Sequence, residues 1–188
     1  MDTIKFVVEQ YRVEEFEHDL PVINIYVNGQ NLIDLVTRIE KKDWSGGKDS
    51  RSSYIGIEAT RFERFRNEML GNKVYRHSIL LTCTCTIEEC NCIMADMAFE
   101  AAIITWSNIR SPWLSNTTYS PFVDEVDAIK EGWVPLDYSA LGTFVFDREQ
   151  YLSALDEAVQ NAERVSEEYL RNQPDNGENI GVLKWDDI

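Results

Sequence analysis

The sequence predicts one α+β domain, a mainly antiparallel sheet with a long C-terminal helix. Three observations carry that prediction. Short β-branched and aromatic runs recur up to residue 146, punctuated by Asn-Gly, Gly-Gly and proline. An apolar stripe at helical spacing (Tyr151, Leu155, Ala158, Ala162, Val165 and Tyr169) then follows Asp147, a good helix N-cap. The chain has 188 residues, 44 % of them hydrophobic, which suits a single domain spanning residues 1–188.

Taken in order, residues 4–13 alternate loosely and suit a first strand. Residues 22–27 form a β-branched second run ending at Asn28-Gly29, the pair a type I′ turn favours. Leu32, Leu35, Val36 and Ile39 recur at helical spacing, so residues 31–39 read as a short strand or a helix. Residues 41–53, Gly/Ser-rich and polar, predict a mobile loop. After the apolar residues 54–57, a short helix over 60–70 closes at Gly71. Phe62, Phe65 and Met69 share its inner face, with Arg61, Arg64 and Glu68 toward water. Residues 78–85 and 92–106 are long apolar stretches, and 110–136 an extended connection with a short helix at 123–130. A strand at 142–146 leads into the long helix, where Gln150 stands at the capping-box position. The tail 172–188 reads as loop, with 180–185 able to add an edge strand.

Charge narrows the function classes. The net charge is −15, which excludes non-specific nucleic-acid binding and docking on an anionic membrane. No apolar run reaches the ~20 residues of a membrane span, and the start lacks a secretory pattern, so the expected setting is cytoplasmic. The charge is uneven. Residues 41–79 hold nine Lys/Arg against five Asp/Glu, a local net of +4. The rest holds nine basic against 28 acidic residues, a net of −19. The basic island is expected to sit against acidic surface of the same molecule, with a dedicated anion site as the alternative, and the remaining acidic surface to meet a basic protein partner.

All four cysteines fall within ten residues, Cys83, Cys85, Cys90 and Cys92, as C-x-C-x4-C-x-C. In a hairpin turning at 86–89, Cys85 lies opposite Cys90 and Cys83 opposite Cys92, so all four sulfurs project from one face. That convergence is what a structural tetrathiolate zinc site requires, given twist or a bulge. Three other readings stay open beside zinc: a buried cysteine ladder packed as core, a cross-strand disulfide, and a redox pair. Other chemistry is sparse. His18 and His77 are the only histidines, and His77 is expected in a hydrogen-bonded structural role. Trp106, Trp113 and Trp133 read as aromatic core, with a groove lined by them as the alternative. The sequence contains no H-E-x-x-H, P-loop, G-x-S-x-G or dinucleotide fingerprint.

Several runs are similar to a bacterial protein family without an assigned activity. They are Leu80-Leu81-Thr82-Cys83-Thr84-Cys85 with Glu89-Cys90, Thr105-Trp106-Ser107, and Tyr138-Ser139 through Phe144, Phe146, Asp147, Gln150 and Tyr151. The family reads L-L-x-C-x-C-G-x-x-G-C-W, then V-T-W-S-x-F-x-Q-P-H-R, then W-x-Y-S-x-x-G-P-F-x-F-D-x-x-Q-Y. Tyr54-x-Gly56-Ile57 matches an earlier Y-x-G-[LI], so the resemblance covers about residues 54–155. Thr86 stands for the family's Gly, Asn91 for its Trp, and Ser111-Pro112-Trp113 for Q-P-H, while Cys92 is extra. The resemblance bears on fold and localisation and implies no activity.

Three functions follow as expectations. The first is a non-enzymatic protein-interaction or immunity-type module with a basic partner. The second is a zinc-binding domain centred on Cys83, Cys85, Cys90 and Cys92. The third is an enzyme of unrecognised type with a pocket near Trp106 and Trp133.

Overall fold

A computed structural model describes residues 1–12, 19–43, 54–72, 77–84, 92–111 and 138–172, and among these described residues are two antiparallel sheets and three α-helices. The first sheet joins β1 (Ile4–Arg12), β2 (Asp19–Val27), β3 (Gln30–Asn31) and β5 (Ile57–Glu58), with β2 at its centre. The second runs β4 (Tyr54–Ile55), β6 (Ser78–Cys83), β7 (Cys92–Phe99), β8 (Ile103–Arg110) and β9 (Phe144–Asp147). The helices are α1 (Leu32–Asp43), α2 (Phe62–Met69) and α3 (Arg148–Asn172). The predicted α+β class, antiparallel pairing and long C-terminal helix are all present.

The hydrogen-bonded path nearly closes on itself. Residues 54–58 leave one sheet and enter the other, with Gly56 at the bend. Only glycine fits there, because a Cβ on Gly56 would lie 2.2 Å from the Ile23 carbonyl oxygen. At the opposite side Asp2 bridges to Phe146 in parallel, and its N–H donates to the Val145 carbonyl at 2.7 Å.

The core faces of both sheets meet α3. Ile4 and Phe6 of β1 and Ile23, Ile25 and Val27 of β2 pack with Trp106, Phe146, Phe65 and the inner face of α3. Tyr151 is the hub: its ring lies 5.6 Å from Phe6, 5.7 Å from Phe146 and 5.9 Å from Trp106. Such aromatic pairs add to the stabilisation that burial gives. The buried Tyr151 hydroxyl donates to the Met69 carbonyl at 2.9 Å, so it costs no unmade bond.

Several expectations change in detail. Asn28 and Gly29 both have positive φ, 53° and 77°, as a type I′ turn requires. Both readings of 31–39 are realised: β3 is a two-residue strand, and Asn31 Oδ1 then accepts the Ile33 N–H and starts α1. Helix α1 runs to Asp43, so the loop expected at 41–53 begins at least three residues later, and 44–53 lie outside the described residues. The apolar stretch 92–106 divides between two strands. It breaks at residues 100–102, where the Glu100 N–H meets the Ile103 carbonyl at 2.9 Å. Glu68, expected to face water, is buried, and its Oε2 accepts the Ile79 N–H at 3.1 Å. Asp147 caps α3 by accepting the Gln150 N–H at 2.9 Å, but the Gln150 side chain turns away from the box to the Ile4 backbone. The helix expected at 123–130 and the tail strand at 180–185 lie outside the described residues.

Candidate functional site

The β6–β7 register decides where the described cysteines point. Thr82, not Cys83, pairs with Cys92, and Leu81 pairs with Ile93. Directly opposite residues share a face, so Cys92 and Cys83 project to opposite faces. Cys92 packs with Ile79 and Met94 on the outer face. Cys83 takes the core face, opposite Tyr54 of β4. The expected Cys83–Cys92 pairing is therefore corrected by one residue. The cause is apolar matching: this register, with an irregularity between Ile79 and Leu81, places Leu80, Leu81 and Ile93 together in the core. Cys85 and Cys90 lie outside the described residues. Among the described residues no group of three or more His, Cys, Asp or Glu side chains is placed to hold a metal ion.

Two polar clusters stand out instead. In the first, the Tyr54 and Tyr138 hydroxyls donate to one oxygen, Glu40 Oε1, at 2.9 and 2.6 Å. The Tyr54 hydroxyl also lies 3.5 Å from Ser111 Oγ. Helix α1 supplies the carboxylate, β4 one phenol, and the residue before the Ser139–Leu141 turn the other. Burial, reinforced by the Glu40 charge, pushes both tyrosines well above their usual range. They stay protonated, and the cluster acts as a hydrogen-bonded clasp.

The second cluster lies on the outer face of the five-stranded sheet. The β7–β8 register shifts between Met94 and Asp96, and Asn108 absorbs the extra residue with φ 51°. Trp106 and Ile109 consequently both reach the core, and Arg110 is aimed outward beside Met94. His77 Nδ1 lies 2.7 Å from Asp96 Oδ1 and 2.6 Å from an Arg110 guanidinium nitrogen. The Asn108 amide donates to Asp96 Oδ2 at 3.0 Å, and its carbonyl accepts from Arg110 at 2.6 Å. Desolvation works to raise the Asp96 carboxyl, but Asn108, His77 and Arg110 together hold it below the usual carboxylate range. His77 thus has the hydrogen-bonded setting expected of it.

Charge is arranged along α3. Tyr151, Leu155, Ala158, Ala162 and Ser166 face the core. The opposite side carries Glu149, Asp156, Glu157, Glu163, Glu167 and Glu168, all exposed. One basic residue of the 41–79 island, Arg66, reaches Asp156 at 3.8 Å, and another, Arg61, reaches Glu58 at 3.6 Å. Both pairs sit at the surface, where each contributes ~1 kcal/mol at most.

The remaining candidates resolve simply. Trp106 is fully buried against Phe146 at 5.2 Å, so it lines no groove, while Trp113 and Trp133 lie outside the described residues. A shallow groove of about 350 Å³ crosses Thr3, Ile4, Lys5, Val7, Tyr26 and Gly29, with Lys5 and Tyr26 paired across β1 and β2 as its titratable groups. Among the described residues no helix is long and apolar enough to cross a membrane. Glu40, Asp96 and Arg110 escape sequence reading, although Asp96 leaves a trace as the lone charge in the apolar run 92–99.

No family model matches the chain, and neither a curated protein nor a solved structure shows significant similarity to it.

Proposed function

We propose that the chain is a non-enzymatic, acidic protein-interaction module of the immunity type, with the outward face of α3 as its contact for a basic protein partner. One observation carries the reading: exposed carboxylates occupy the side of α3 opposite its core stripe, so the helix presents charge without disturbing packing. The net charge of −15 extends the same field and favours a cationic partner, with association that slows as salt rises. Among the described residues the clusters at Glu40 and at His77, Asp96 and Arg110 come nearest to a catalytic set, and each also serves structure.

Pull-down from a cognate lysate at low and high salt tests the proposal, run beside a Glu163→Lys/Glu167→Lys variant. The expected result is a basic protein captured at low salt, released by salt, and lost with the double variant. Capture that ignores both salt and the variant would sink the reading.

A further inference from the structure

We propose that His77 is a proton-operated selector between Arg110 and Asp96, through which pH sets the backbone at the β8 bulge. The geometry is the ground. One nitrogen, Nδ1, lies 2.6 Å from the guanidinium and 2.7 Å from the carboxylate, and it offers either a lone pair or a proton, never both. In the neutral ring with its proton on Nε2, Nδ1 accepts from Arg110, whose other guanidinium nitrogen holds the Asn108 backbone carbonyl at 2.6 Å. In the doubly protonated ring Nδ1 donates to Asp96 Oδ1, and the same nitrogen then presents a hydrogen and a positive charge to the guanidinium. Two cationic donors at that separation repel, so Arg110 leaves Nδ1 and the Asn108 carbonyl and turns toward Asp96 Oδ1, already 3.5 Å from it.

Withdrawal reaches the backbone because Arg110 braces Asn108. That residue holds a left-handed conformation at the bulge, where an asparagine pays a small strain that local hydrogen bonds offset. With the Arg110 brace gone, the Asn108 carbonyl loses its side-chain donor, while Asp96 keeps the Asn108 amide. Among the described residues, the charged groups facing His77 are Asp96 of β7 and Arg110 of β8, with Asn108 neutral between them. Their side chains are 40 % and 11 % exposed, against 22 % for His77, so solvent protons reach the cluster without unfolding.

The test is an NMR titration of the full-length, nitrogen-15-labelled chain from about pH 8 to about pH 5, bracketing the ~6.5 of an ordinary imidazole. The expected result is that the Asn108 and Ile109 amides shift with the midpoint of His77 Nδ1 and not with that of His18. In His77→Gln, which keeps hydrogen bonding without the titration, those shifts disappear. The proposal is overturned if His77 titrates while both amides stay still, if His77 does not titrate over this range, or if the shifts persist in the variant. Should the variant fail to fold, the wild-type midpoints alone decide.

Discussion

Gln150 grips the backbone of Ile4 with both ends of its amide. Nε2 donates to the Ile4 carbonyl at 2.8 Å, and Oε1 accepts the Ile4 N–H at 3.4 Å. The side chain thereby stands in for a neighbouring strand at the outer edge of β1. Gln150→Ala is expected to cost about 1–3 kcal/mol by denaturant unfolding, the worth of two hydrogen bonds to a part-buried backbone. Gln150→Glu loses the donor and places a carboxylate beside a carbonyl, so it should cost more. Equal stability of all three proteins would refute this role.

Gly56 has no room for any side chain. Its missing Cβ would sit 2.2 Å from the Ile23 oxygen and 2.7 Å from Asn24 Oδ1, and the nearest of these is rigid backbone. Gly56→Ala is expected to lose more than ~3 kcal/mol or to leave the chain insoluble, because the shared strand must part from β2. A thermal melt within a few degrees of wild type would contradict it.

Acid should weaken the fold through Asp2 and Asp96. Hydrogen bonds from Asn28 and Val145 lower the Asp2 carboxyl, as Asn108, His77 and Arg110 lower Asp96. A carboxyl lowered in the folded state contributes stability above its unfolded value of ~3.9, and loses it as pH falls through the folded value. Denaturation midpoints should therefore drop below about pH 4, and the drop should be shallower in Asp96→Asn.

Alkali acts in the opposite sense on the tyrosines. Tyr54, Tyr138 and Tyr151 are all raised, chiefly by burial. Their contribution is complete below the unfolded tyrosine value of ~10 and is lost as pH climbs beyond it, because the unfolded chain ionises first. Of the eight tyrosines, the share of tyrosinate absorbance due to these three should accordingly appear only as circular dichroism is lost. Ionisation of these rings in a protein that stays folded would show the clasp to be open.

Cys92→Ser places a hydroxyl among Ile79 and Met94, where the cysteine is fully buried. A cost of about 1–3 kcal/mol is expected from burying that group. Melting wild type and variant with and without a chelator, beside elemental zinc analysis, separates the sources of the loss. A chelator that lowers only wild type assigns it to metal, and one that changes neither assigns it to packing.

Much of the frame was legible because local rules decided it. Asn28-Gly29, Asp147 and the stripe from Tyr151 to Ala162 each signal through neighbours in sequence. What escaped depends on register. A cysteine pattern specifies faces only once pairing is known, and the β6–β7 register sets Thr82, not Cys83, opposite Cys92. Glu40, Tyr54 and Tyr138 meet across the fold, and no short-range pattern marks Glu40 among the acids of an acidic chain. Much of the C-terminal run quoted for the resemblance proves structural. Phe144, Phe146 and Tyr151 fill the core, Asp147 caps α3, and Gln150 holds β1.

The bridge from Asp2 to Phe146 also fixes an order of events during synthesis. The first strand emerges early, yet the groups that cover its outer edge, residues 145–150, leave the ribosome after every described strand but β9. At ~5–20 residues per second that leaves the edge of β1 bare for several seconds or more. A nascent chain stalled before residue 145 should therefore bind chaperones or aggregate, while one released past α3 should not.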